Sequence, residues 1–230
     1  MFVIGSPPCT MFSALQAMNP AVKGSDPEKV DRFRQELGKA RKHLEFCCLM
    51  YEYQLDRGRH FIHEHPWGAR SWDVSCIQKL LGDKRVLIAK VDQCRFGLET
   101  TNAEGELGPA RKRTGFVSSS WTVIEELEGT CDGRHQEHHP LLEGRAKKAE
   151  VYPPEMCRAI CRGVSRQKLL EETGQTSSRR MSKGQLSSMM NSVKWRDEVH
   201  EDDGGGDAGG ARPQDGRAML EEDMYKWEKA

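Results

Sequence analysis

The chain has 230 residues, a formal net charge of zero and a hydrophobic fraction of 37%, which suits one domain with a real core and a polar remainder. The balanced charge excludes a global basic field that would attract nucleic acid, and a local basic patch is the alternative. No stretch approaches the roughly 20 apolar residues of a membrane span, and the first residues lack a secretory signal. We therefore expect no membrane contact and an intracellular location, the nucleus included.

Strands and helices alternate in the first part of the chain. Residues 2–4 form a short apolar run that is typical of a buried strand. An Asp-Pro-Glu start and helical apolar spacing predict one long helix over 26–58, which a glycine ends. A strand over 60–64, a helix over 71–81 and a strand over 85–91 follow. This alternation predicts an α/β fold with a Rossmann-like, mostly parallel sheet and crossover helices.

The second part of the chain adds fewer elements and ends in a polar tail. The predicted elements are a hairpin or loop excursion over 97–109, a strand over 114–117, a helix over 120–127 and a helix that begins at Pro154. Apolar residues then become sparse, and glycine, serine and acidic residues dominate. We therefore predict a domain over residues 1–165 and a disordered tail over 166–230, with a transient amphipathic helix near 219–227.

The turn after the first strand carries a cysteine in a rigid setting. Gly5 ends the apolar run, and Ser6-Pro7-Pro8 leads directly to Cys9. Two prolines fix φ and remove backbone donors, so the thiol is held on a stiff loop. The carboxyl end of a strand is also where open α/β sheets place their chemistry. An ordinary buried cysteine is the alternative interpretation, because free cysteine is among the most buried residue types.

Two further polar residues are predicted at the ends of the next two strands. Glu64 ends the second strand and Arg95 follows the third. Because parallel strands share their carboxyl edge, we expect both side chains to lie within about 10 Å of Cys9. The alternatives are a solvated strand end for Glu64 and a surface ion pair for Arg95. His63 and His65 point to one face of their strand, so a metal pair is a further alternative.

These motifs resemble those of the cytosine-C5 DNA methyltransferases, phage-type members included. The resemblance rests on Pro8-Cys9 followed by Phe12-Ser13, on Glu64, and on the run Gln93-Cys94-Arg95-Phe96-Gly97 with the basic residues 111–113. It implies that the Cys9 thiolate attacks the ring of a flipped cytosine and that Glu64 holds the ring nitrogen. Arg95 would grip the base and support the loop. The further substrate contacts that it implies are Pro8, Ser13, Gln93, Arg111, Lys112 and Arg113.

The same resemblance implies S-adenosylmethionine as the cofactor and DNA as the partner. In the family, the cofactor-binding strand and its glycine loop lie upstream of the nucleophile, whereas this chain starts almost at the Cys9 loop. We therefore expect the isolated chain to be inactive and not to bind the cofactor. The alternative function is a non-catalytic fragment of a mobile-element polyprotein that acts through nucleic-acid or protein contacts.

Three local features depart from the family pattern or qualify it. Glu64 is followed by His65 where the family usually has asparagine. A thiolate at Cys9 needs a nearby cation that lowers its pKa, and Arg95 and Arg70 are the candidates. The basic residues 111–113 would hold DNA phosphates, and a solvated loop is the alternative for so short a charge run.

Cysteine and histidine residues in the second half offer an alternative metal site. The eight cysteines are irregularly spaced, which favours free thiols in a reducing compartment. One cluster is Cys131-x3-His135-x2-His138-His139. Its spacing of two or three intervening residues can place cysteine and histidine ligands on one side of a turn. Our main assignment contains no metal. The alternative is a closed zinc site of Cys131, His135, Cys157 and Cys161, of which the last two also fit a helix core.

Overall fold

The computed structural model describes residues 1–19, 26–135, 137–142 and 144–174. The strands are β1 (Phe2–Gly5), β2 (His60–Pro66), β3 (Leu87–Asp92), β4 (Glu99–Thr101), β5 (Leu107–Pro109) and β6 (Arg113–Ser118). The helices are α1 (Pro27–Asp56), α2 (Ser75–Leu81), α3 (Trp121–Leu127), α4 (Arg145–Lys148) and α5 (Pro154–Glu172). Within these ranges, none of the helices has the length and apolar character needed to cross a bilayer.

The long helix α1 confirms the strongest local signal in the sequence. Its 30 residues begin after Asp26, whose side chain accepts hydrogen bonds from the amides of Glu28 and Lys29, as an N-cap residue does. Proline occupies the first turn, where its missing N–H costs nothing. Just past the end, Gly58 adopts a φ of 61°, a conformation that favours glycine. Helix α1 carries the chain from β1 back to the start of β2.

The main sheet is mixed, which corrects the expected mostly parallel, Rossmann-like arrangement. Its strand order is β1-β2-β6-β3, with β1 parallel to β2 and β6 antiparallel to both β2 and β3. The physical reason is the connection after β3. It contains the β4–β5 hairpin and no crossover helix, so the chain returns antiparallel beside β3.

The insertion of β6 still leaves the other three strands pointing the same way. Because β6 is antiparallel to both of its neighbours, β2 and β3 share one direction, and β1 shares it with β2. The carboxyl ends of β1, β2 and β3 therefore lie at one edge of the sheet. This edge carries the chemistry described below.

Helices cover both faces of the sheet and give an α/β fold with two apolar layers. On one face, Phe61 packs in a cluster with Leu44 and Tyr51 of α1 and with residues of α2. On the other face, Ile62 packs with residues of α3 and α5. Successive residues of β2 therefore enter opposite cores, as the strand geometry requires, and β2 is almost continuously buried.

Helix α5 runs to Glu172, seven residues beyond the domain boundary expected at 165. The extension is held by polar contacts with α3 and its N-terminal flank. Arg166 pairs with Glu125 at 2.7 Å and with Glu126 at 2.8 Å, and Gln167 accepts a hydrogen bond from Ser120. These contacts carry no apolar signal, so the sequence composition did not reveal them. The rest of the predicted tail, from residue 175 onward and including 219–227, lies outside the described residues.

Candidate functional site

The Cys9 loop leaves β1 at the shared carboxyl edge. Gly5 is required there, because a Cβ at this position would overlap the hydroxyl of Tyr51. Pro7 is buried and Cys9 is half-buried. The Cys9 carbonyl accepts a hydrogen bond from the amide of Phe12 at 2.9 Å, which folds the loop into a tight turn. The close approach of Gly5 to Tyr51 before the two prolines and the Phe12–Cys9 hydrogen bond after them therefore fix the position of the Cys9 sulfur.

The imidazole ring of His65 holds this loop in place by a hydrogen bond. Its Nε2 lies 2.8 Å from the carbonyl oxygen of Pro7, and because a carbonyl only accepts, Nε2 must carry the proton. Nδ1 then accepts from the hydroxyl of Ser71. Burial lowers the pKa of His65, which keeps the ring neutral and in this tautomer. The histidine that departs from the family pattern thus anchors the cysteine loop.

The His63–His65 pair does share one face of β2, with ring centroids 5.3 Å apart. Both nitrogens of His65 are engaged by protein atoms, so this ring has no lone pair left for a metal. Nδ1 of His63 lies 3.0 Å from the hydroxyl of Tyr51. The pair therefore serves as packing beneath the loop, and the metal alternative for it is not supported.

Glu64 lies on the opposite face of β2, next to the cysteine loop. Its side chain is buried, with 5% of the residue exposed, and it accepts a hydrogen bond from Ser6. Tyr152 donates to the same Ser6 hydroxyl at 3.5 Å. Burial, and then the charge of Glu64, raise the pKa of Tyr152. A chain of hydroxyls therefore orients the Glu64 carboxylate at the mouth of the Cys9 loop.

The three largest influences on the acidity of the Cys9 thiol are burial and two neighbouring charges. Burial raises its pKa, the negative charge of Glu64 raises it further, and the positive charge of Lys112 lowers it. The net effect is an increase, so the resting group is a protonated thiol. Lys112 is held in place by donating to the carbonyl of Ala149 at 2.9 Å. The sequence offered Arg95 and Arg70 as the activating cation, whereas the structure supplies Lys112.

Arg95 lies away from the Cys9–Glu64 pair. Its guanidinium donates to the carbonyl of Glu128 at 3.2 Å and packs against Gly129, where a Cβ would overlap it. The position of β3 explains this, because β2 and β6 separate it from β1, and three strand spacings amount to about 14 Å. The structure thus places Glu64 against the loop that carries Cys9, through its hydrogen bond with Ser6, and holds Arg95 against the segment that follows α3.

The other residues assigned to substrate have mixed positions. Ser13 accepts a hydrogen bond from the amide of Leu15 at 3.2 Å and caps the next turn. Gln93 is buried and donates to Thr114 at 2.8 Å, so it braces β3 against β6. Pro8 is exposed beside Cys9 and is free of such a structural task.

The basic run 111–113 acts largely within the fold. Arg113 pairs with the buried Asp92 at 3.3 Å, and Lys112 serves the Cys9 loop as described. Arg111 is half-buried. The predicted contact of this run with DNA phosphates stays a prediction, and all three side chains already interact within the protein.

A second cluster of reactive side chains lies at the end of β3. It consists of Cys94, Cys131, His135 and His138, whose ligand atoms all lie within 4.8 Å of one another. Cys131 and His135 were expected in a metal site. Cys157 and Cys161 were the other expected ligands, and they are exposed on α5, so Cys94 and His138 replace them as neighbours.

Substitution of Glu64 tests the electrostatics of the cysteine loop. Glu64→Gln keeps the size and polarity of the side chain and removes its charge, so we expect the Cys9 pKa to fall and alkylation by iodoacetamide at neutral pH to quicken several-fold. Lys112→Met should slow the reaction, because it removes the opposing charge. Peptide-resolved mass spectrometry across the alkaline range measures both rates. Equal rates at Cys9 in all three proteins would contradict the assignment.

Comparison with models of known families, with curated proteins and with solved structures returned no match. The geometry of the two clusters is therefore the basis for assigning function. The first cluster places the Cys9 thiol on a loop that the Glu64 carboxylate contacts through Ser6, and the cluster at the end of β3 offers four soft or borderline metal ligands.

Proposed function

We propose that this domain is the base-binding part of a cytosine-C5 DNA methyltransferase-like enzyme, with Cys9 as the nucleophile and Glu64 as the acid on the ring. The observation that carries the proposal is the pairing of these two residues. The buried Glu64 carboxylate accepts a hydrogen bond from Ser6, so it lies against the rigid loop that carries the half-buried Cys9 thiol, and its charge raises the pKa of that thiol. A thiol whose pKa is shifted by burial and by a specific charged neighbour is a candidate functional group.

The chemistry needs both groups at once. The Cys9 sulfur forms a bond to carbon 6 of the ring, and the electron pair of the ring double bond moves toward carbon 5. The proton released by the Cys9 thiol is taken up by the Glu64 carboxylate, which delivers it to ring nitrogen 3 and so neutralises the adduct. Carbon 5 thereby becomes nucleophilic, and S-adenosylmethionine, when bound, supplies the methyl group that it takes.

Binding of the base also favours formation of the thiolate. When Glu64 is protonated to engage the ring nitrogen, its charge no longer raises the pKa of Cys9, and the positive charge of Lys112 then acts unopposed by it. The site is thus quiescent without a base and activated by one. His65 and Ser6 keep the two groups in register during this change.

The described residues supply the base side of the reaction only. Within the described ranges, no loop rich in glycine follows a strand, so we assign none of these residues to S-adenosylmethionine. The cofactor therefore stays an implication of the resemblance. The adduct between Cys9 and the base forms without it, which makes the base side testable by itself.

Covalent trapping tests the proposal. We expect a single-stranded oligonucleotide with 2-pyrimidinone in place of one cytosine to form an adduct with the chain, since this ring is more electrophilic and needs no flipping from a duplex. The adduct should survive denaturing electrophoresis and carry the summed mass. Cys9→Ser should abolish it, and Cys157→Ser, at an exposed cysteine, should preserve it.

Two results would overturn the proposal. One is an adduct that persists in Cys9→Ser, which would assign the reaction to another thiol. The other is no adduct with the unchanged chain. Retention of the oligonucleotide without an adduct would favour the non-catalytic alternative, in which the domain only contacts nucleic acid.

A further inference from the structure

The cluster at the end of β3 has the dimensions of a tetrahedral metal site. Cys131 Sγ lies 3.5 Å from His138 Nε2, and the same nitrogen lies 3.4 Å from Cys94 Sγ. Zinc–sulfur bonds of about 2.3 Å and zinc–nitrogen bonds of about 2.0 Å place such ligands about 3.5 Å apart. Cys131 Sγ and His135 Nε2 are closer, at 2.9 Å, and His135 is exposed, so its ring has room to adjust.

The identity of the donors selects the metal. Two thiols and two imidazoles form a Cys2His2 set, which suits zinc, whereas magnesium and calcium prefer oxygen ligands. The two thiolates balance the charge of a divalent ion, and their two protons are released on binding. Four protein ligands also fill the tetrahedron, and this is typical of structural rather than catalytic zinc.

The backbone holds the two cysteines in place independently of any ion. Cys94 lies in the turn that directly follows β3. The amide of Cys131 donates to the carboxylate of Asp92 at 2.8 Å, and the amide of Asp92 donates to the carbonyl of Gly129 at 3.2 Å. The segment with Cys131 thus runs beside the end of β3, and both sulfurs are preorganised.

The histidine side of the cluster is anchored at its far end. His139 follows His138 and donates its amide to the carbonyl of Pro109 at 2.8 Å, and its ring contacts the carbonyl of Thr100 at 3.1 Å. The loop is therefore fastened before Cys131 and after His138. Its described residues between the two, His135 included, are exposed and bury no apolar side chain of their own.

We propose that Cys94, Cys131, His135 and His138 bind one structural zinc ion, which closes the 131–138 loop onto the end of β3. The loop lacks the apolar burial that would offset its ordering entropy, and a metal supplies that stabilisation directly. The ion also fixes the turn that carries Arg95. The site shares no residue with the Cys9–Glu64 pair, so the test of zinc binding is independent of the test of the proposed function.

Metal analysis of the full chain tests the proposal. We expect about one zinc per chain after dialysis against metal-free buffer, by elemental mass spectrometry. Cys94→Ala and Cys131→Ala should each lose most of it. The double variant Cys157→Ala/Cys161→Ala is the matched control, because these cysteines were the competing ligands, and it should keep full stoichiometry.

Cobalt spectroscopy covers the case in which an alanine variant misfolds. Cobalt(II) added to the metal-free chain should give the visible bands of a tetrahedral site and a thiolate charge-transfer band. His135→Cys, at an exposed position, should retain the site, and its charge-transfer band should grow from two thiolates to three. Absence of tetrahedral cobalt in the unchanged chain, or loss of zinc in the Cys157→Ala/Cys161→Ala control, would overturn the proposal.

Discussion

Acidification from neutral pH to about pH 5 is expected to lower the free energy of unfolding by about 2 kcal/mol through His63 alone. His63 is fully buried, with 0% of its surface exposed. Burial, and then the neighbouring His65, lower its pKa to about 3, whereas the unfolded value is about 6.5. The interval between pH 6.5 and pH 5 is about 1.5 units, and each unit corresponds to about 1.4 kcal/mol.

The sign follows from which state binds the proton. Below pH 6.5 the unfolded chain protonates His63 and the folded chain does not, so the unfolded state gains stability as the pH falls. The loss continues down to about pH 3, where the folded state also takes the proton. Burial lowers the pKa values of His60 and His65 as well, and both therefore add to the loss in the same direction.

Urea unfolding of matched variants at several pH values isolates the contribution of His63. His63→Gln should lower stability at neutral pH but flatten the dependence on pH, whereas His43→Gln, at an exposed position of α1, should leave the dependence unchanged. Comparing each variant with the parent at the same pH cancels the contributions of all the other groups, which the variants share. A pH dependence as steep in His63→Gln as in the parent would show that His63 is not the buried neutral group.

Local signals in the sequence predicted the elements well because each signal acts within a few residues. The Asp26 cap and Gly58 stop bound α1, and the strands at 60–64 and 114–117 lie within β2 and β6. The expectation of a mostly parallel sheet was wrong because the direction of β6 depends on the connection through β4 and β5, which the sequence predicts only as a hairpin or loop excursion. Strand order is set by which buried faces pack together, and no single segment encodes it.

The candidate site was predictable to the extent that its residues belong to motifs. Cys9 and Glu64 were identified from their motifs, and the structure places Glu64 against the loop that carries Cys9. Tyr152 was missed because it meets Ser6 across 146 positions of sequence and belongs to no motif. Lys112 was interpreted as a phosphate contact, since only the folded chain shows its charge acting on Cys9.

The metal cluster shows the same division between local and distant signals. Cys131 and His135 are four residues apart, a spacing that indicates a shared ligand role. Cys94 was already assigned to the Gln93–Arg95 motif, and it reaches His138 across 44 positions. Cys157 and Cys161 had an equally good spacing, but the helical face that carries them points to solvent.

Trp72→Ala is expected to cost about 3 to 5 kcal/mol of unfolding free energy, the largest loss from a single substitution that we predict. Trp72 is 1% exposed and stands edge-on to His63 and His65 at 5.5 and 6.3 Å. A Cβ at Gly115 would come within 2.6 Å of its ring, so the indole packs against β6 at a position that only glycine leaves open. Its removal leaves a large cavity that this glycine cannot fill.

The same substitution should also release the cysteine loop, because the indole supports the His65 ring that binds Pro7. We expect Cys9 to react faster with iodoacetamide in folded Trp72→Ala, at denaturant concentrations well below its unfolding midpoint. The indole Nε1 of Trp72 donates a hydrogen bond to the Pro66 carbonyl at 2.8 Å, so Trp72→Phe should cost about 1 kcal/mol for this lost bond, plus a smaller cavity. Trp121→Ala, at a half-buried tryptophan of α3, is the control and should alter neither Cys9 reactivity nor stability to a comparable degree. If Trp72→Ala unfolds at the same urea concentration as Trp121→Ala, the indole does not support the core beneath the loop.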